Sequence, residues 1–247
     1  MKFSRRELES LSLQPLHRAR NWSKADVSAG EQGGVAFVLK DFRAAPIWFK
    51  PFARAFLRRE WKALRALEGT EGVPRALAKP DADSIVLERL PGKPMHGLKY
   101  GEVSDETLQK LVALTAKVHA CGVTHGDLHQ QNVMLGPNGE VGLIDWATAH
   151  VWGANPTGAR RVVRDEFLAL DRRSLAKIKV YHARHLLSAE DIDLIKNGAS
   201  KAYRAVKSVR RVGERLRGKK QGDVFARKMQ NAEKRLAEKQ LQEKDAA

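Results

Sequence analysis

The stretch that most restricts this 247-residue chain is VTHGDLHQQNVMLGPNGEVGLID, residues 123–145. Two short apolar runs, NVML and EVGLID, flank GPNG, and apolar runs around such a turn signal read as a β-hairpin. A hairpin returns the chain to where it started. Asn132, at the head of the first strand, and Asp145, at the foot of the second, therefore come back to one cleft, with His125 and Asp127 a few residues away.

Three chemistries compete for this loop. His119, Cys121, His125 and His129 have the spacing of metal ligands, but a site of soft and imidazole ligands has no use for Asp127 or Asn132. A structural turn whose polar groups satisfy backbone accounts for any one of these residues more easily than for all of them. Phosphoryl transfer from a nucleotide accounts for the set. One aspartate orients the attacking hydroxyl and takes its proton, while an asparagine and a second aspartate hold hard Mg²⁺ ions through oxygen. Asp127, Asn132 and Asp145 stand in that chain order.

Upstream, VAFVLKDF (35–42) has the β-branched and aromatic content of a strand. The glycines of AGEQGG just before it read as a turn, and SKADV (23–27) as the hairpin partner. PFARAFLRREWKALRALEG (51–69) reads as a helix with proline in its first turn and Gly69 as its stop. Phe52, Phe56, Glu60, Ala63 and Leu67 fall on one stripe of it. Glu60 is then a carboxylate within an apolar face and requires a buried partner. Lys40, on the adjacent strand, is the candidate; the alternative is a solvated strand lysine and an ordinary surface acid. SIVL (84–87) is a buried strand, and LPGKP after it a connection. Beyond it the pattern turns helical. Ser104 caps a helix with the stripe Leu108, Leu111, Val112, Thr115 and Val118, and helices resume near Arg161 and after Ser188, where SAED reads as a capping box.

HGDLHQQN resembles the catalytic loop H-R-D-L-x-x-x-N of the protein-kinase-like superfamily. With glycine in place of arginine it is similar to the atypical branch: aminoglycoside and choline phosphotransferases, RIO-type kinases and lipopolysaccharide-core (Kdo) kinases. LIDWATA resembles the metal-binding D-F-G segment, with tryptophan and alanine in its last two positions. The resemblance implies an α+β, two-lobed fold: an antiparallel-sheet N-lobe with one main helix (1–87), a hinge (88–92), a mostly helical C-lobe (93–200) and a basic helical tail (201–247). It implies ATP and Mg²⁺ as cofactors, Asp127 as catalytic base, Asn132 and Asp145 as metal ligands, and Lys40 as the phosphate clamp positioned by Glu60. Val38 and Met134 would line the adenine pocket, with ordinary core as the alternative for either, and the backbone of Glu88 to Leu90 would read the adenine edge. LHRARNWSKADV stands where a glycine-rich phosphate loop is expected and has no glycine, so phosphate cover falls to Arg18, Arg20 or backbone amides. No A-P-E anchor follows Asp145, which speaks against a peptide-docking activation segment.

Charge bears on the partner. The chain has 45 Lys/Arg against 29 Asp/Glu, a formal net charge of +16, and so attracts anions. Residues 201–228 hold eleven Lys/Arg against two acids, with Tyr203, Val206, Val209 and Val212 as a thin apolar stripe, whereas 229–247 hold four of each and read as a solvated, frayed or disordered end. The expected partners are ATP, a hydroxyl-bearing acceptor and, through the tail, an anionic membrane surface or RNA. A single cysteine, Cys121, excludes an internal disulfide and suits a reducing compartment. No apolar run reaches the roughly 20 residues of a membrane span, and MKFSRRELESL has no apolar leader core. The expected location is cytoplasmic, with peripheral attachment at the inner membrane face. EFLALDRRSLAKIKVYH (166–182) is similar to a helix of lipopolysaccharide-core kinases, which makes that acceptor class the first expectation and a RIO-like Ser/Thr protein kinase its alternative. The rival from another class is a non-catalytic nucleic-acid-binding protein on a kinase fold, in which Asp127, Asn132 and Asp145 need not all survive.

Overall fold

A computed structural model describes residues 3–19, 24–197 and 229–230. Arg20, Ser23, the basic run 201–228 and most of the tail lie outside the described residues. Ser4 opens α1 (Arg5–Ser10) with a capping box: its hydroxyl accepts from the Glu7 amide, and the Glu7 carboxylate takes the Ser4 N–H. β1 (Gln14–His17), β2 (Asp26–Gln32) and β3 (Val35–Asp41) then run antiparallel. After α2 (Lys50–Ala66), β4 (Ala76–Asp81) and β5 (Ser84–Glu88) complete a five-stranded sheet of order β1-β2-β3-β5-β4.

The hairpin expected before Val35 is present, but only Gly33 and Gly34 form its turn, both with positive φ. Ala29 to Gln32 belong to β2 instead. Gly30 is there for close packing: a Cβ on it would stand 2.6 Å from the Phe37 ring. β4 was not foreseen, because Pro80 reads as a breaker; it sits on an edge strand, where no ladder donor is required of it.

Alternation along β3 divides its side chains. Phe37 and Leu39 pack with Phe3, Leu8 and Val86 beneath α1, while Val38 and Lys40 lie on the face towards α2. The expected α2 stripe holds at Glu60, Ala63 and Leu67, with Phe56 partly buried against the core, and fails at its start, Phe52. Ala53, Leu57, Glu60, Ala63, Leu64 and Leu67 are buried, whereas Phe52 is 60% exposed. The phase follows Glu60, whose buried contacts leave the helix one rotation.

The helical part follows. β6 (Lys93–Pro94) leads to α3 (Asp105–Ala120), capped by Ser104 as expected. Its inward face is Leu108, Leu111, Leu114, Thr115 and Val118; Val112 is 40% exposed, a correction to the expected stripe. β7 (Val123–Thr124), β8 (Val133–Leu135), β9 (Val141–Leu143) and β10 (His150–Val151) frame the loop, with β6-β8-β9 in one sheet and β7 paired to β10. α4 (Gly158–His182) and α5 (Ala189–Lys196) close the fold, and Ser188 and Asp191 form the expected capping box. Met229, in the stretch expected to be solvated, is buried against Ala176, Val180, Leu187, Ile192 and Ile195.

The largest buried cluster runs without a break from Phe42, Phe49 and Leu57 through Ile85 and Leu87 to Leu111, Leu143, Trp146 and Ala183. The result is the expected α+β arrangement, a small antiparallel sheet with one main helix joined to a mostly helical part. No described helix is long and apolar enough to cross a membrane. Leu57 is 3% exposed at the centre of the cluster, so Leu57→Ala is expected to lower unfolding free energy by about 2–5 kcal/mol in chemical denaturation.

Candidate active site

The site begins with one cation. Lys40 Nζ lies 2.7 Å from Glu60 Oε1 and 3.0 Å from Asp145 Oδ1. The partner inferred for Glu60 is therefore Lys40, and Asp145 joins them from the end of the hairpin. Burial by itself lowers the Lys40 pKa, but the two carboxylates outweigh it and hold the ammonium well above its ordinary value. Burial pushes the Glu60 carboxyl up, opposed by Lys40 and by the Trp146 amide, which donates to Glu60 Oε1 at 3.2 Å. Asp145 is lowered: burial would raise it, and the Lys40 charge wins. Its φ of 66° is the one positive value at a non-glycine among the described residues, a strained backbone of the kind found at functional sites.

Trp146 explains the departure from D-F-G. The ring is fully buried, lies 4.6 Å from the His125 imidazole and donates its indole N–H to the Leu143 carbonyl at 3.0 Å. It thus fills the core below the loop and satisfies its own polar atom.

The loop is held from several sides. His125 Nε2 meets the Ile144 carbonyl at 3.0 Å and so donates, leaving Nδ1 to accept from the Asp127 amide at 3.4 Å. Burial lowers the His125 pKa, in keeping with that neutral form. Asn132 Nδ2 donates to the Asp127 carbonyl at 3.0 Å, and the Asn132 carbonyl accepts from the Ile144 amide at 2.9 Å. Asp127 Oδ2 is 3.5 Å from His129 Nε2, and that contact holds the Asp127 carboxyl below its usual range and raises His129. Asp127 and Asp145 are both half exposed at the side chain.

Sequence reasoning missed the residue that anchors this loop. Asp171 of α4 is 1% exposed and accepts from the amides of His125 at 2.8 Å and Gly126 at 2.9 Å, and it meets His119 Nε2 at 3.0 Å. In LALDRRS it reads as one more helix-surface charge; the only signal was its place on the inward face, two residues before the buried Arg173. Gly126 follows from the same geometry. Its φ is +77° and a Cβ there would stand 2.6 Å from the Thr148 carbonyl, so the arginine usual at this position has no room.

His119, Cys121, His125 and His129 do not converge: His119 serves Asp171, His125 serves Ile144, and Cys121 is exposed. Among the described residues no group of three or more His, Cys, Asp or Glu could hold a metal ion. A Mg²⁺ ion needs less from protein, one or two oxygen ligands besides phosphates and water. With Nδ2 committed to the Asp127 carbonyl, Asn132 offers its amide oxygen, and Asp145 offers a carboxylate kept ionised by Lys40. Both are hard oxygen donors, the type Mg²⁺ takes.

Towards the connection, Glu88 turns its side chain to Arg75, whose amide and Nε donate at 3.0 and 3.1 Å, and the Arg89 amide donates to Ala36. Val38 pairs with Leu87 in the sheet. Leu90 and Met134 line a cavity of about 440 Å³ with Gly72, Lys117, Asn138 and Gly142. Lys40, Asp127 and Asp145 are not among its walls.

A family model described as "RIO domain" matches residues 38–166, a span that holds Lys40, Glu60, Asp127, Asn132 and Asp145 and just over half of the chain. The chain belongs to the RIO domain family. Membership puts it in the atypical protein-kinase-like superfamily. It is also 31% identical over 142 residues to a Streptomyces coelicolor protein described as "Probable SapB synthase"; the match covers 49% of this chain and 15% of that protein. The chain thus corresponds to a small part of that relative's length.

Two outcomes test this geometry. Asp171→Asn sets an NH₂ against at least one of three buried donors, so stability should fall by about 1–3 kcal/mol in chemical denaturation and loop amides at 125–126 should lose hydrogen-exchange protection. Removing either member of the Lys40–Glu60 pair strands the other, so a cycle of Lys40→Met and Glu60→Gln should give a coupling above about 0.5 kcal/mol. Strict additivity would separate them.

Proposed function

We propose that this RIO domain protein transfers the γ-phosphoryl group of ATP to a hydroxyl acceptor. The observation that carries the reading is Lys40 bridging Glu60 and Asp145 beside a loop that presents Asp127 and Asn132. Asp127, ionised and half exposed, orients the acceptor hydroxyl and takes its proton. Lys40, fixed by Glu60, holds the nucleotide phosphates. Asn132 and Asp145 would hold Mg²⁺, which supplies charge neutralisation at the phosphates when bound. Val38 and Met134 line the adenine side, and in the hinge (88–92) between lobes 1–87 and 93–200 it is the backbone at Leu90 that reads the base edge, the Glu88 and Arg89 amides being taken by the Arg75 and Ala36 carbonyls. Arg18, next to the end of β1, takes the place of a glycine-rich loop.

The family match favours a Ser or Thr hydroxyl of a protein as acceptor. The lipopolysaccharide-core reading rested on residues 166–182, and that segment has an internal task in holding Asp171 under the loop. The nucleic-acid-binding alternative is disfavoured because all three polar residues are present and hydrogen-bonded into one arrangement. Attachment of the tail to RNA or to an anionic surface stays with the 201–228 segment and with a cytoplasmic setting.

The test is transfer from labelled ATP with Mg²⁺ to a generic Ser/Thr protein acceptor, to lipid A-core, to aminoglycosides and to no acceptor. Label on the protein acceptor supports the reading; label on lipid A-core moves the acceptor class; no label anywhere removes the catalytic reading. Asp127→Asn should lower turnover by about 10²–10⁴-fold while ATP affinity, measured by calorimetry, stays within about twofold.

A further inference from the structure

The turn between β3 and α2 places large apolar side chains in water. Ile47 is 85% exposed, Trp48 58% and Phe52 60%. They do not hang on a loose loop. The Phe49 amide donates to the Pro46 carbonyl at 2.9 Å, and the Lys50 amide to the same oxygen at 3.2 Å, which closes a tight turn around Ile47 and Trp48. Phe49 is buried as its anchor, stacked on Phe52 at 5.8 Å and tilted against Phe42 and Phe56 at 6.5 and 6.4 Å. The result is a rigid convex wedge.

Its surroundings are cationic. From Arg43 to Lys62 the chain has six Lys/Arg and a single acid, Glu60, which is buried on Lys40. Arg43, Lys50 and Arg54 have partners in Asp41, Glu9 and Asp83, whereas Arg58, Arg59 and Lys62 are exposed and have no ion pair among the described residues. Trp48, Phe52, Ala55, Arg59 and Lys62 follow one another at spacings of four, three, four and three, so the outer ridge of α2 is apolar at its start and basic further along.

We propose that this ridge is a docking surface for an anionic bilayer, with Ile47, Trp48 and Phe52 inserted into the headgroup region and Arg58, Arg59 and Lys62 over acidic lipid. A convex knob requires a matching pocket on a protein partner but none in a bilayer. Indole and phenyl rings are favoured at the membrane–water boundary. Stable peripheral binding takes two signals, apolar insertion and basic charge, and both are present here. A second copy of this chain is disfavoured as the occupant by the repulsion between two molecules of net charge +16. The proposal is independent of the acceptor and of the basic segment 201–228.

Flotation of the full chain with phosphatidylcholine vesicles and with vesicles of phosphatidylcholine and phosphatidylglycerol in equal parts tests it. Wild type should float with the acidic vesicles, and Ile47→Ser/Trp48→Ser/Phe52→Ser, which alters no charge and leaves the tail intact, should bind about tenfold more weakly or worse. Because Phe52 stacks on Phe49, Ile47→Ser alone is the check against misfolding: it should keep the wild-type melting temperature and still bind several-fold more weakly. Arg58→Gln/Arg59→Gln/Lys62→Gln should weaken binding at low salt, with a smaller difference at high salt. Wild type that does not float overturns the proposal, as does a triple apolar variant that floats like wild type, which would leave only electrostatic attraction. Unchanged flotation with loss of self-association in Ile47→Ser, by analytical ultracentrifugation, would assign the ridge to a second copy instead.

Discussion

An ammonium group taken out of water needs carboxylates in contact with it, and Lys40 draws two from distant parts of the chain, Glu60 of α2 and Asp145 beyond β9. That requirement orders much of what surrounds it. It sets the rotation of α2, since Glu60 must point inward, and so puts Ala53 and Leu57 in the core and Phe52 outside. It brings the hairpin end against the sheet. It also draws the Trp146 amide onto Glu60, which seats the indole beneath His125 and supports the loop from below.

The loop and the hairpin were legible because their signals are local. GPNG, the apolar runs around it and the order Asp127, Asn132, Asp145 lie within a few turns of chain, and the pairing of Lys40 with Glu60 followed from a carboxylate on an apolar stripe. What escaped notice depends on distance. Asp171 is 45 residues from Gly126, and a single aspartate between a leucine and two arginines carries no mark of the backbone it will meet. Gly30 was read as a turn residue because glycine has two uses, positive φ and close approach, and only the neighbouring Phe37 ring tells them apart. Val112 and Phe52 are expected inside because the edge of a helical stripe is ambiguous by one position; Leu114 takes the inward place beside Val112, and Ala53 the one beside Phe52.

Lys40, Glu60, Asp127, Asn132 and Asp145 all lie within the span of the RIO domain match, and they come from two parts of the fold. Lys40 and Glu60 belong to the sheet and its helix, whereas Asp127 and Asn132 belong to a loop fastened to α4 through Asp171 and to β9 through Ile144. Asp145 bonds to Lys40, and its neighbour Ile144 bonds to His125 and Asn132. The acceptor is the less determined side, because the segment between Asp145 and α4 is short and is spent on internal bonds: Thr148 holds the His125 carbonyl, and Trp152 pairs its amide with Gly122 and its indole with Thr124.

The unbroken apolar cluster from Phe42 to Ala183 has a consequence for how this molecule comes apart. Each lobe has a small cluster of its own, but the largest is common to both: Ile85 and Leu87 of the sheet belong to it together with Leu143 and Trp146 of the helical part. Cooperativity in small proteins follows shared burial, so the residues of that common cluster are expected to melt together. Severing the chain at the connection would bare that shared apolar face on both halves, and movement between the lobes has to keep it covered.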